Sequence, residues 1–461
     1  MARTRNTQLA AVIQETGWSQ DQTARHFVKV AQETGARELL SVTRSHVSMW
    51  VGGTQPSGRA VPLLCETLAR KLGRLITPAD IGLATTRRAD DTTGHPGLTL
   101  DTDPIDALMP LWSNEIDRRS LLSTSAYSVA AAALPLTHVT EIAQRTRAAH
   151  TGRTVGMPEV AAVRDMVTAF SAMDERHGGA HGRTALAQYL RDDIATLCRA
   201  RFRTQDVRAQ MLSAASRAVH LLGWKSYDAG RQGLAQRYYL QSYALAAASG
   251  LPGHDGFVMR TMAMQGMKLH RPEHCRELAE TGLAQARGTV DATTEALFRI
   301  VHAHTLAKVG ESHAALTETD RAHTLLTTNP GDPTPFWALA WGPPAASVHS
   351  RTAKVHETLG DHHTAAAFYT RAARTRPPGT YARIIALDLV AAVEQQLRHG
   401  SIDAACTTWN EDLDHMDGVR SARTRKALTR IRTDLAPFHA RGSRPAARLD
   451  QRAARMLQND D

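Results

Sequence analysis

Aromatic residues make up only 5% of this 461-residue chain, and there are four cysteines. Cys65, Cys198, Cys275 and Cys406 are far apart, sit inside helical patterns and show no metal-ligand spacing. That excludes a disulfide scaffold, gives no sign of a bound metal, and leads us to expect a reduced, cytoplasmic setting. No N-terminal apolar segment marks the chain for export. There is no GxSxG nucleophile elbow, no glycine-rich phosphate loop ending in Lys-Ser/Thr and no dinucleotide fingerprint. The chain is therefore expected not to be an enzyme and to need no cofactor. Lysine is nearly missing, found only at 29, 71, 225, 268, 308, 354 and 426, so arginine supplies almost all of the 55 basic side chains. A GC-rich genome produces such a bias. Strand-like alternation is scarce as well. What remains, 42% hydrophobic residues dominated by Ala and Leu at helical spacing, gives an all-α chain too long for one core.

The stretch 1–83 carries the densest pattern. Leu9, Val12, Ile13 and Thr16 make the inner face of a first helix stopped by Gly17. A second helix starts at Ser19, where Gln22 completes a capping-box pattern, and buries Ala24, Phe27, Val28 and Ala31. A third, short helix follows Thr43, whose hydroxyl is placed to cap it. Val47, Trp50 and Val51 fall at the spacing of a buried stripe, which turns Arg44, Ser45, Ser48 and Met49 outward. Gly52, Gly53 and Pro56 end it, and Val61, Leu64, Leu68 and Leu72 form a closing helix. Residues 1–88 hold twelve basic side chains against six acids, most of the chain's net +10. Phosphate contacts supply the sequence-independent part of DNA affinity, so this excess suits a nucleic-acid partner. Small helical domains with Gly-Pro turns also serve as protein-interaction modules.

The start at Ser19-Gln20 with Ala24, and the run from Val42-Thr43 through Trp50, Gly53 and Pro56, resemble the XRE (phage-repressor-like) helix-turn-helix family. The resemblance implies that the third helix enters the major groove of double-stranded DNA. Arg44, Ser45, Ser48 and Met49 would then face base edges, with Gln20 and Thr43 on the phosphate backbone. The family uses a tight turn where this chain inserts VKVAQETGARELLS, so a longer helix or an added loop is expected.

Residues 84–104 lack an apolar period and read as a linker, with helices resuming at Ile105 and connecting helices to about residue 154. Asp117-Arg118-Arg119-Ser120 before LLSTSAYSVAAAALPL superficially resembles an export signal. The run is shorter than the ~20 residues that span a bilayer, so it reads as a buried Ala-rich helix and no membrane contact is expected.

From about residue 155 to the end a repeat emerges. Segments starting at Gly230, His270, Gly310, Gly360 and Gly400 each place a small residue five positions on: Ala235, Cys275, Ala315, Ala365 and Ala405. Tyr239, Tyr369 and Trp409 follow four later. A small residue lets the two helices of a hairpin approach, and the aromatic fills the next groove, so an α-solenoid of stacked helix pairs is expected. His270-Arg271-Pro272-Glu273-His274 spells a zinc-protease string, but Pro272 breaks the helix that such a site needs.

The positions Gly230, Ala235, Tyr239 and Ser242, and again Gly360, Ala365, Tyr369 and Ala372 with Pro377, resemble tetratricopeptide (TPR) repeats. The order of the two parts, with KLGRLITPADIGL closing the first and LLGWKSYDAGRQGLAQRYYLQSYALA opening the array, resembles a group of actinobacterial (Streptomyces-like) regulators. That resemblance implies a transcriptional regulator, acting as a homodimer or through a bound effector, in development or secondary metabolism. The alternative is a TPR adaptor that docks protein rather than DNA. First helices of such hairpins line the concave groove, so a peptide or small-molecule effector would meet Trp224, Tyr227, Met262, His302 and His356.

Overall fold

A computed structural model describes residues 4–33, 36–56, 58–72, 76–83, 97–98, 100, 102–116, 154–179, 181–268, 271–327, 333–340, 342–377, 379–416, 419, 421–440 and 444–459. The export-like string, the Ala-rich run after it, His270 and most of the 84–104 linker lie outside the described residues. The chain is all-α and solenoid-like.

Four helices build the N-terminal unit: α1 (Thr7–Glu15), α2 (Gln20–Glu33), α3 (Arg44–Val51) and α4 (Ala60–Leu72). Asn6 starts α1, its side chain accepting from the Leu9 amide at 2.9 Å. The capping box of α2 is reciprocal: the Gln22 amide donates to Ser19 Oγ at 3.2 Å and the Ser19 amide to Gln22 Oε1 at 2.8 Å. Leu9, Phe27, Val47, Leu64 and Leu68 meet in one core, and the Phe27 and Trp50 rings pack 5.5 Å apart. Val28 is only half-buried, and Val30 takes the core place given to it by spacing. The inserted segment both lengthens α2 to Glu33 and adds a 3₁₀ turn, Arg37–Leu39.

The end of the linker is packed rather than free. Leu98 and Leu100 are buried in the array's core, and the Gly97 carbonyl accepts from Gln241 Nε2 at 3.1 Å. Two apolar residues two positions apart are too few to register as a period. Helix α5 (Pro104–Ile116) follows. A two-residue strand, β1 (Thr154–Val155), pairs in parallel with β2 (Arg201–Phe202). Between them run α6 (Met157–His177), α7 (Arg183–Tyr189), a π-helical turn (Leu190–Ile194) and α8 (Ala195–Cys198).

The rest is a stack of helical hairpins: α9 (Gln205–Asp228) with α10 (Gln232–Ser249), α11 (His254–Lys268) with α12 (Pro272–Ala286), and α13 (Ala292–Lys308) with α14 (Ser312–Thr327). Then come α15 (Pro344–Leu359) with α16 (His362–Arg374), α17 (Ala382–Arg398) with α18 (Ile402–Met416), and α19 (Ala422–Ala440) with α20 (Arg444–Asn459). The turns reuse one geometry. Gly230, Gly310, Gly360 and Gly400 have φ of 79°, 89°, 85° and 90°, the left-handed region that glycine enters without strain. In each, the next amide closes back to a carbonyl five residues earlier, as from Arg231 to Ser226 at 2.8 Å and Asp361 to His356 at 2.9 Å. Just beyond, Ala235, Cys275, Ala315, Ala365 and Ala405 are all 0% exposed.

The array curls back on itself. Arg383 of α17 is fully buried and reaches Asp174 (2.7 Å) and Glu175 (3.0 Å) of α6 and Asp228 (2.9 Å) of α9. Lys225 adds a 3.4 Å contact to Asp174, and the Gly179 amide donates to Asp228 at 3.0 Å. Buried charges of this kind need both pairing and hydrogen bonds to be tolerated.

The N-terminal unit abuts the array. Residues 63 to 69 of α4 are buried without a break, a run longer than one helical face can account for. Arg237 of α10 is buried as well. Burial pushes its guanidinium down to about 10, and the carboxylate of Glu66 on α4 opposes that.

Candidate functional site

Two features stand out: the outer face of α3 and a basic cavity inside the array. On α3, Val47, Trp50 and Val51 are buried, and Arg44, Ser45, Ser48 and Met49 are all exposed. Met49 keeps 45% of its surface in solvent. Thr43 precedes the helix, but the cap differs from the sequence expectation. The Thr43 amide donates to His46 Nδ1 at 3.2 Å, and its hydroxyl lies 3.0 Å from the same nitrogen. The imidazole caps, and the hydroxyl is held against it. Gln20 is the first residue of α2 and half-buried.

Positive charge gathers beside these helices. His26 on α2 is held below its ordinary value by burial, then by Lys29, Arg25 and Lys71; its ring stacks on Trp18 with centroids 4.1 Å apart. The backbone is braced from behind. A Cβ on Gly53 would lie 2.1 Å from the Thr4 carbonyl oxygen, so the N-terminal segment passes directly over the turn that ends α3. The Asn6 amide bonds the Val51 carbonyl at 2.9 Å, and its side chain donates to Ile81 at 2.8 Å.

The cavity lies where α9, α11, α15, α17 and α19 converge, with Tyr239 and Tyr369 contributed by α10 and α16. Its volume is about 100 Å³, and it opens to solvent. First helices of the hairpins supply most of its wall. Trp224 and Tyr227 line it, their rings stacked with centroids 5.3 Å apart. Five cations also do so: Arg260, Arg351, Lys354, Arg376 and Arg423. Asp388 is the carboxylate on the wall, already engaged by Ser350 Oγ (2.7 Å) and Arg376 Nη1 (2.5 Å).

The other groove residues named from sequence are elsewhere. Met262 is buried in the hydrophobic core beside the cavity without lining it. His302 on α13 is half-buried; burial lowers its pKa, and the nearest opposing fields come from Glu318 and Glu280 on neighbouring helices. His356 stands at the end of α15, 3.2 Å from Asp361 in the hairpin turn and stacked on Phe368. No residue of α13 lines the cavity, and His302 lies instead in the fields of Glu318 and Glu280 on neighbouring helices. Of the five cations, the first-helix reading reaches Arg351 and misses Arg260, Lys354, Arg376 and Arg423, which look like solvent-facing charges when read singly. Arg351 and Lys354, one turn apart on a helix with buried Thr352, Ala353 and Val355, were the available signal.

Among the described residues no cluster of His, Cys, Asp or Glu is grouped to hold a metal, and no helix is long and apolar enough to cross a membrane.

A family model described as the SP15 N-terminal domain matches residues 9–84. That span covers α1 to α4 and ends just past Leu83, well under half the chain. No curated protein matches the chain at a significant level.

Proposed function

We propose that this chain is a DNA-binding transcriptional regulator whose N-terminal helices read an operator and whose helical array receives a signal. One observation carries the reading. The short helix α3 buries one face completely and presents an uninterrupted polar and arginine-bearing face, Arg44, Ser45 and Ser48 with Met49, to solvent. Such a helix fits the major groove, where Arg pairs with the guanine edge and an apolar tip such as Met49 meets a thymine methyl. The basic excess of the first 88 residues supports the phosphate contacts this requires. The array supports the signal-receiving half. Helix α10 carries Tyr239 on the cavity wall and, two residues before it, Arg237 within the field of Glu66 on α4.

The test is selection of DNA fragments from a random duplex library by the full-length protein, followed by affinity measurements at several salt concentrations. A recovered motif, bound with an affinity that falls steeply with salt, is the expected result. Failure to enrich any sequence, with protein partners recovered instead, would favour an adaptor that works through its repeats.

A further inference from the structure

The basic cavity holds more positive charge than its own walls neutralise. Arg376 is matched by Asp388, and Arg260 Nε donates to the Leu297 carbonyl at 2.7 Å. Lys354 Nζ meets Tyr369 Oη at 3.1 Å, and that phenol donates on to Glu357, whose carboxylate, outside the cavity wall, offsets part of the lysine's charge. Arg423 lies over the Trp224 and Tyr227 rings, 5.6 Å from each centroid, with Asp228 no nearer than 3.8 Å. Arg351 makes no ion pair or hydrogen bond among the described residues, yet its guanidinium is on the cavity wall. Burial lowers the pKa of both Arg351 and Lys354, so the protein holds these charges against a desolvation cost. Such an arrangement is unfavourable until an anion enters.

We propose that this cavity is a binding site for a small organic phosphate, with Arg351, Lys354 and Arg423 receiving the phosphoryl group and the Met264, Gln265 and Leu387 side of the wall receiving the organic part. A phosphate monoester suits the site better than a single carboxylate. It brings close to two negative charges and three acceptor oxygens, enough to engage three converging cations, and guanidinium forks match that geometry. The return of α17 onto α6 through Arg383 wraps the helices around the space, which favours a compact ligand over an extended chain. This names the ligand of the sensing half of the reading above. It is tested without DNA, so the two fail separately.

The experiment is calorimetric titration of the full-length protein, in about 0.15 M salt where weak surface electrostatics are screened. The probes are adenosine monophosphate, ribose 5-phosphate, adenosine, inorganic phosphate and citrate. The expected result is saturable binding of at least one phosphate ester, with adenosine at least tenfold weaker and citrate weaker than the ester. Arg351→Ala should weaken that binding at least tenfold while leaving the unfolding temperature of the free protein equal or higher, since it removes an unmatched buried charge. Arg423→Gln serves as the second variant and should weaken binding by the same order. No binding of either ester, equal binding of adenosine or citrate, or an ester affinity unchanged in both variants would each overturn the proposal.

Discussion

Arg383 and Asp174, 209 residues apart in sequence, meet at 2.7 Å with both side chains excluded from solvent. This contact, with those to Glu175 and Asp228, joins the first helices of the array to its fifth hairpin. Removing one partner of a buried pair leaves the others uncompensated, at a cost of about 3–5 kcal/mol. Arg383→Met should therefore lower the urea midpoint strongly, although Lys225 and Arg423 still offset part of the charge. Combining it with Asp174→Asn should recover part of the loss. An unchanged midpoint in the single variant would show that the closure contributes nothing to stability.

Acid should destabilise the array in two stages. His254 is buried against Trp337, ring centroids 5.1 Å apart, and burial pushes its pKa down to about 3; burial also takes His220 well below its ordinary value. A histidine depressed in the folded state binds its proton only on unfolding. Stability is therefore full above the unfolded value near 6.5 and falls as pH drops below it, by roughly 1.4 kcal/mol per histidine per pH unit. His254→Phe, which keeps a flat ring on Trp337, should flatten the change in midpoint between pH 7.5 and 5.5. An identical slope in the variant would remove His254 from the account. The second stage comes from Asp228. Burial opposes its ionisation, but Arg383 and Arg423 override that and hold the carboxyl below the usual range. Its contribution is present above the unfolded value of about 3.9 and is lost only as pH falls below that.

Two glycines should respond differently to the same substitution. Gly256 on α11 approaches Gly282 on α12 so closely that a Cβ would lie 2.8 Å from a backbone oxygen. Gly256→Ala should cost about 1–3 kcal/mol through overpacking. A Cβ on Gly310 meets nothing, but its φ is 89°, so Gly310→Ala should cost about 1–2 kcal/mol through the backbone alone. Gly310→Asn should recover part of that loss because Asn tolerates the left-handed region, whereas Gly256→Asn should be worse than Gly256→Ala. Equal responses to Asn at both positions would contradict this distinction.

What was legible in the sequence is what a local period records. The turn glycines and the buried Ala235, Cys275, Ala315, Ala365 and Ala405 recur at fixed offsets because each hairpin meets the same steric demand at its crossing. The inward face of α3 was legible for the same reason: Val47, Trp50 and Val51 share one side of one helix. The cavity was only half legible. Trp224 and Tyr227 belong to it, but Met262, His302 and His356 were chosen by their place on the first helices, and which way each side chain points depends on how its hairpin packs against the next. The Arg383 cluster was invisible because superhelical closure, which no local pattern encodes, brings residues 174, 228 and 383 together.

In the proposed function the exposed face of α3 reads base edges. This is tested most directly by comparing Arg44→Ala with the unaltered full-length protein on the selected DNA sequence and on a scrambled duplex at one salt concentration. A bidentate arginine–guanine contact contributes about 1–3 kcal/mol of discrimination, so affinity for the selected sequence should fall about tenfold or more while affinity for the scrambled duplex stays nearly constant. Equal loss on both duplexes would reduce Arg44 to a phosphate contact, and no loss on either would contradict the placement of α3 in the groove.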